Sequence, residues 1–364
     1  MKFKFILVVF LLAIFSSGCG TESVEKTKSQ QAAGDTTMIS KGFRTIEHHD
    51  LRQFDILYDG QPFTSYCYWE NLKKPALFPL RTDDGRVVTR SYPAKMVPGD
   101  RVDHPHHLSC WFNYGDVNGD DYWGHSAASR PGGKHGSIVH RKVGPIHNYG
   151  DMVHVDFQMD WIGSKGDKVL EEMDRIYFRV GPGLRMIDRV ITLTAQDKKV
   201  VFGDTKEGMF AIRVTRGLEE PTDQPIKYVD AQGEITEVAQ LENTGVDGEY
   251  LSSEGRVNEK EVWGTRAKWC ILRGTVEGKP ATIGIFDHPN NVGYPTYWHA
   301  RGYGLFAANP FGWKTFTKGE KELNFTLEPG ESTTLSYRIL IASRRLDAEE
   351  TEKLYGNWLE EIGN

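Results

Sequence analysis

The residues best able to do chemistry in this chain are crowded into a few short stretches. "RVDHPHHLSCW" (101–111) puts three of the twelve histidines within four positions, behind Asp103 and around Pro105. In an extended segment His104 and His106 share a face, a spacing that suits a metal ion, with Asp103 orienting a ring nitrogen from behind. The same imidazoles, with His107, would equally act as general acid or base without any ion, since they titrate near neutral pH. A polar corner in which histidines bond the backbone is the third reading. "FGDTKEGMFAIRV" (202–214) offers Lys206 and Glu207 ahead of Gly208. Glu207 is a candidate acid/base, although adjacent side chains of an extended chain point apart and need not pair.

Two further stretches add binding groups. "FDHPNNVGYPTYWHARGYGLFAANPFG" (286–312) repeats Asp-His-Pro as Asp287, His288 and Pro289, then supplies His299 and Arg301. An arginine among aromatics and histidines clamps a carboxylate or steadies developing negative charge. Tyr122 and Trp123 stand among glycines, carboxylates and hydroxyls in residues 112–136, a composition that stacks on sugar rings while polar groups hold their hydroxyls. "DVNGDD" (116–121) lacks the glycine position and terminal glutamate of a calcium loop.

These residues predict a polar sugar pocket. His104, His106, His107, Glu207, Asp287 and His288 would carry acid–base chemistry. Lys206, His299 and Arg301 would bind substrate oxygens, and Trp111, Tyr122 and Trp123 would stack on the ring. No cofactor is required by this reading; a divalent metal, if used, would sit on His104 and His106. Hydrolysis by paired carboxylates would fall to Glu207 and Asp287. No glycine-rich phosphate loop, GxSxG elbow or HExxH occurs, which removes dinucleotide, serine-hydrolase and zincin chemistry. A net charge of −6 argues against a nucleic-acid partner.

The elements that must position these groups read as strands. "VHVDFQMDW" (153–161), "RIYFRV" (175–180), "RMIDRVITLTA" (185–195), "MFAIRV" (209–214), "ATIGIFD" (281–287), "ELNFTL" (322–327) and "TTLSYRILIA" (333–342) alternate apolar and polar residues or are β-branched, with turn signals between them. Helical periodicity is confined to the C-terminus, where Leu354, Trp358 and Ile362 fall four apart after Asp347, a candidate N-cap. The expected fold is all-β: a large antiparallel β-sandwich over 42–345 with one short helix over 346–364 packed on it. Residues 95–140, rich in Gly, His, Asp and Trp, break the strand rhythm, as irregular segments carrying functional groups do. Cys67, Cys110 and Cys270 lie among aromatic or apolar neighbours and read as small core residues.

Ahead of the domain, two lysines precede an apolar run over 5–15, and "SSGC" brings small residues up to Cys19. This resembles a bacterial lipoprotein signal over 1–19, with Cys19 as the lipidated residue and 20–41 as a polar tether. The chain would then be a lipid-anchored protein of the bacterial cell envelope, periplasmic or on the outer membrane, touching membrane only through its anchor.

The run "PLRTDDGRVVTRSYP", "DHPHHLSCWFNYGDVNGDDYW", "KHGSIVHRKV", "FGDTKEGMFAIRV", "VWGTRAKWC", "IGIFDHPNN" and "YWHARGYGLFAANPFG" resembles a bacterial domain family labelled methane oxygenase PmoA-like, over roughly 45–343. Leu108-Ser109 departs from the basic-glycine pair that often follows its histidines. The label implies a metal-dependent oxygenase, yet the methane-oxidising subunit of that name is an integral membrane protein and this chain lacks a spanning segment. The company such proteins keep implies carbohydrate work instead. The strand pattern is also similar to the supersandwich of aldose epimerases of the galactose-mutarotase type. The expected activity is cleavage or isomerisation of a glycoside or oxidised (keto) sugar, as a hydrolase, lyase or epimerase. A non-catalytic glycan-binding lipoprotein is the alternative.

Overall fold

The computed structural model describes residues 41–239 and 242–363. The signal segment 1–19 with Cys19, and the tether up to residue 40, lie outside the described residues. Two eight-stranded antiparallel sheets make up the body. The first runs, edge to edge, Phe43–His48, Gln53–Tyr58, Gln61–Cys67, Ala76–Leu77, Cys110–Tyr114, Gly208–Arg213, Leu305–Asn309 and Tyr297–Arg301. The second runs Glu249–Ser252, Trp269–Val276, Lys279–Asp287, Ser332–Ala342, Leu184–Ala195, Lys168–Gly181, Met152–Ile162 and Ser137–Asn148. The expected all-β sandwich is the fold observed.

Strand parity divides the residues between core and surface. Inward from the first sheet point Phe112, Phe210 and Trp298, all buried. They meet the second sheet as aromatic pairs, with Phe112 centred 6.2 Å from Trp161 and Phe210 stacked 5.0 Å from Tyr337. The outward face of the first sheet carries the other parity: Trp111, Ala211, Leu305 and Ala307 form a separate apolar cluster with Trp123. Cys67, Cys110 and Cys270 are buried free thiols, as expected of core residues.

The outer face of the second sheet is closed by the helix Ala348–Gly363. Asp347 caps it, accepting the Glu350 N–H at 2.8 Å. The buried stripe is Thr351, Tyr355 and Trp358, packed on Trp269, Phe286 and Leu340. Ile362, expected on that stripe, is 39% exposed. "ELNFTL" also falls short of its prediction. Only Thr326–Leu327 pairs, with Val200–Val201, since the Asp204 carboxylate takes the Leu323 N–H at 2.6 Å and holds the segment as loop. Among the described residues no helix is long and apolar enough to cross a membrane.

Candidate active site

The register of the first sheet lays out the floor of a cleft. Trp111 pairs with Ala211, Ala211 with Ala307, and Ala307 with His299, so these four form one outward row. Two alanines between two large rings leave a hollow. Trp123 comes in from the loop 115–136 to lie 5.3 Å from Trp111 and 6.5 Å from His299, centroid to centroid. One row further, Arg213 and Arg301 flank Leu305. The result is an open cleft of about 830 Å³, lined by the three histidines, Trp123, Lys206, Glu207, His299, Arg301 and Tyr303, with Asp121 at its wall.

The histidine segment is held from beneath by two buried arginines. Arg90 donates to the carbonyls of Arg101, Asp103, His104 and His107 and, at 2.6 Å, to the Asp103 carboxylate. Arg213, fully buried, reaches the same carboxylate at 2.8 Å and lies 4.6 Å over the Tyr303 ring. Burial would raise the Asp103 carboxyl, but His104, Arg213 and Arg90 overcome it and hold the group well below the usual carboxylate range. His104, bent to φ 40°, turns Nδ1 to Asp103 at 3.2 Å and stacks between His107 and Tyr303. A guanidinium only donates, so the 3.3 Å contact from Arg213 to Nδ1 of His107 fixes the proton of that ring on Nε2. That buried Nε2–H has no protein partner.

The cleft keeps its inner imidazoles neutral. Burial, helped by the Lys74 and His104 charges and then by Arg90 and Arg213, pushes His106 down to about 3. Burial and the neighbouring His106 and Arg213 push His107 well below its ordinary value. His299 falls to about 3, through burial first and then Lys206 and Arg301. Groups so reluctant to take a proton are poor bases at neutral pH and good neutral hydrogen-bonding rings.

Glu207 has the better position. Lys206 pairs directly with it, which an extended chain would not guarantee, because the extended strand begins only at Gly208. Its Oε2 lies 3.9 Å from Nδ1 of the neutral His299 ring, near it but beyond hydrogen-bond distance. Gly115 makes the approach feasible. Its N–H donates to the Glu207 carbonyl at 2.7 Å, and a Cβ there would sit 2.7 Å from the Glu207 Cβ. Arg301 is partly held by Glu259 at 3.1 Å.

Several expected site residues stand elsewhere. Asp287 ends a strand of the second sheet, and its buried carboxylate accepts from Asn291 and from the Thr296 N–H, each at 2.8 Å. His288 lines another pocket beside the C-terminal helix, its ring 5.6 Å from Trp358. Neither lines the cleft, so Glu207 and Asp287 do not form the expected carboxylate pair. Tyr122 is turned into the core against Trp161, with Gly136 packed on its ring, and offers no stacking surface. Trp111 is buried behind His107 and Trp123 and supports the cleft without facing it. Among the described residues no three His, Cys, Asp or Glu side chains are gathered so as to hold a metal ion, and His104 spends Nδ1 on Asp103.

Sequence reasoning missed Arg90, Arg213, Tyr303 and Lys74. Outward parity two residues after Ala211 would have found Arg213, and Tyr303 lies inside the quoted "WHARGYG". Lys74, buried in "NLKKP", donates to the Trp123 carbonyl at 3.3 Å and lies 5.6 Å over Trp111. Burial brings it down to about 7 against the pull of Asp121. Nothing local announces it.

No curated protein matches the chain in sequence. Among solved structures it is similar to the galactosidase domain of the alpha-galactosidase-sucrose kinase AgaSK, at 8% identity and TM-score 0.41, covering 84% of this chain and 42% of that one. The GH36 alpha-galactosidase AgaB from Geobacillus stearothermophilus gives 11% and 0.40, over 84% and 42%. A galactose mutarotase related enzyme from Lactobacillus acidophilus gives 9% and 0.27, over 83% of this chain and 98% of its own. The chain thus spans less than half the length of the two galactosidases. Residues 53–356 match DUF6807, a family of unknown function, and the chain belongs to that family.

Proposed function

We propose that the chain is a carbohydrate-active enzyme that cleaves or isomerises a glycoside or a keto sugar by proton transfer at the His–Glu cleft. One observation carries the reading: Glu207, paired with Lys206, shares an open cleft with Arg301 and several neutral imidazoles, walled by Trp123, Tyr303 and Asp121. Glu207 is the proton-transfer group. Lys206 pairs with it directly. Neutral His299 and the free Nε2–H of His107 hydrogen-bond substrate oxygens, and Arg301 steadies charge that develops on them. With Asp287 elsewhere, proton abstraction beside a sugar carbonyl, leading to elimination or epimerisation, fits better than two-carboxylate hydrolysis. An oxygenase fits less well, since the cleft gathers no ready set of metal ligands. Export and lipidation at Cys19, placing the enzyme on the bacterial cell envelope, belong to the same proposal.

The test is turnover on a panel of disaccharides and their keto derivatives, followed by product analysis. Glu207→Gln is expected to lower kcat by about 10²–10⁴-fold with the fold intact. A wild-type chain that binds members of the panel and converts none of them would favour a glycan-binding protein, for which the same aromatic and polar walls suffice.

A further inference from the structure

The cleft does not end at the histidines. His106 also lines a second, more enclosed pocket of about 290 Å³, walled by Trp69, Tyr92, Leu108 and Trp111. Trp69 and Lys74 line that pocket and a third hollow of about 860 Å³, which opens along the edge strand Ser137–Asn148. The three hollows adjoin in series, His106 lining both the cleft and the enclosed pocket, and Trp69 and Lys74 lining both that pocket and the third, so together they mark a path leading away from Glu207. Its far end is rich in cations. Arg52, Lys73, Arg141 and Lys142 face only Glu47 and Glu70 across it. Arg141 is committed to Asp160 at 2.6 Å, whereas Arg52, Lys73 and Lys142 have no ion-pair partner among the described residues. On a chain of net charge −6, such a concentration of unpaired positive charge is local, and a concave surface focuses its field. Tyr68 and Trp69 supply apolar faces beside these charges.

We propose that this groove binds a glycan chain bearing anionic groups, carboxylate or sulfate, with Lys73, Lys142 and Arg52 as the subsite for the charge. The proposal rests on the carbohydrate reading above and adds to it the substrate class. The half-buried aromatic edge takes a ring between the reacting unit at Glu207 and the charged unit beyond Lys74. Charge-assisted hydrogen bonds from the free cations then select the anionic chain.

Calorimetric titration of the full chain tests this with tetragalacturonate, its methyl ester as the uncharged match, and a sulfated tetrasaccharide of the chondroitin type. At about 0.05 M salt a charged oligosaccharide should bind about tenfold or more tighter than the ester, and the gap should close at about 0.3 M salt. The double variant Lys73→Gln/Lys142→Gln should remove the gap and keep the affinity for the ester. Preference for the uronate or for the sulfated chain tells the two anions apart. Equal binding of acid, ester and sulfated chain, or a gap that survives the double variant, overturns the proposal while the carbohydrate reading stands. Capture by phosphatidylglycerol vesicles with no oligosaccharide bound overturns it in favour of a membrane surface. Failure of every oligosaccharide to bind, with no turnover on the panel, removes the carbohydrate reading as well.

Discussion

The chain holds two Asp-His-Pro tripeptides, and the structure gives them opposite duties. At Asp103-His104-Pro105 the carboxylate sits between two buried guanidiniums, and its ring neighbours face the cleft. At Asp287-His288-Pro289 the carboxylate faces no such cation at contact distance. It accepts from an amide and a backbone N–H, and burial pushes it up to about 7. Identical residues in identical order thus give one carboxylate held ionised and one poised near neutrality. The difference lies in what tertiary structure delivers to them: Arg90 and Arg213 in one case, Asn291 and Thr296 in the other. A tripeptide specifies donors and acceptors; it does not specify partners.

The largest way to break the comparison is to remove the carboxylate that the cleft depends on. Asp103→Ala strands Arg213, whose remaining contacts are the His107 ring and the Tyr303 face. Leaving one partner of a buried pair uncompensated costs about 3–5 kcal/mol, read by denaturant unfolding. The histidine segment should lose its order with it, and turnover should vanish together with any affinity for the panel. A variant that stays within about 1 kcal/mol of wild type would show that the backbone bonds of Arg90 suffice to hold the segment.

The same contrast explains how much could be read in advance. The sandwich was legible because period-2 alternation is imposed by a core on one side of each strand, as "MFAIRV" and "ATIGIFD" show. Side chains picked by type and crowding, such as His104, Glu207, His299 and Arg301, do line one cleft. Their supports were not legible. Arg90 in "VVTRSYP" reads as a surface cation, and its burial is defined only once Asp103 folds back onto it. Arg213 meets the same carboxylate from 110 residues away. Tyr122 misled for a related reason: glycines around an aromatic signal an exposed platform, but here Gly136 is the gap that lets the ring turn inward.

A subtler test uses pH, because the two regions respond with opposite sign. His106 and His299 titrate near 3 when folded and near 6.5 when unfolded. From about pH 6.5 downward the unfolded chain takes up protons that the fold refuses, so stability falls as pH drops through that window. Asp287 titrates near 7 when folded, above its ordinary 3.8. Its contribution is full below 3.8 and is lost as pH rises toward 7. Melting temperatures should therefore drop for wild type on acidification below about pH 6.5. Asp287→Asn cannot ionise, so its melting temperature should gain on wild type as pH is raised from about 4 to about 8. A constant offset between the two over that range would mean that burial does not govern this carboxyl.

The smallest expected effect is the most pointed. His288 is half-buried, its ring edge against Trp358 and its Nδ1 accepting the Asn290 N–H at 3.1 Å. Replacing it by alanine removes one local bond and a ring contact at the surface, within about 0.5 kcal/mol of wild-type stability. Because it lines a pocket beside the C-terminal helix and not the cleft, His288→Ala should leave kcat and KM on any substrate unchanged. His104→Ala, at the matching position of the other tripeptide, takes away the ring stacked between His107 and Tyr303 and should disturb both constants. If the two variants lost activity alike, the second tripeptide would have to act on the same substrate from the far sheet. The division between a working copy and a structural copy would then fail.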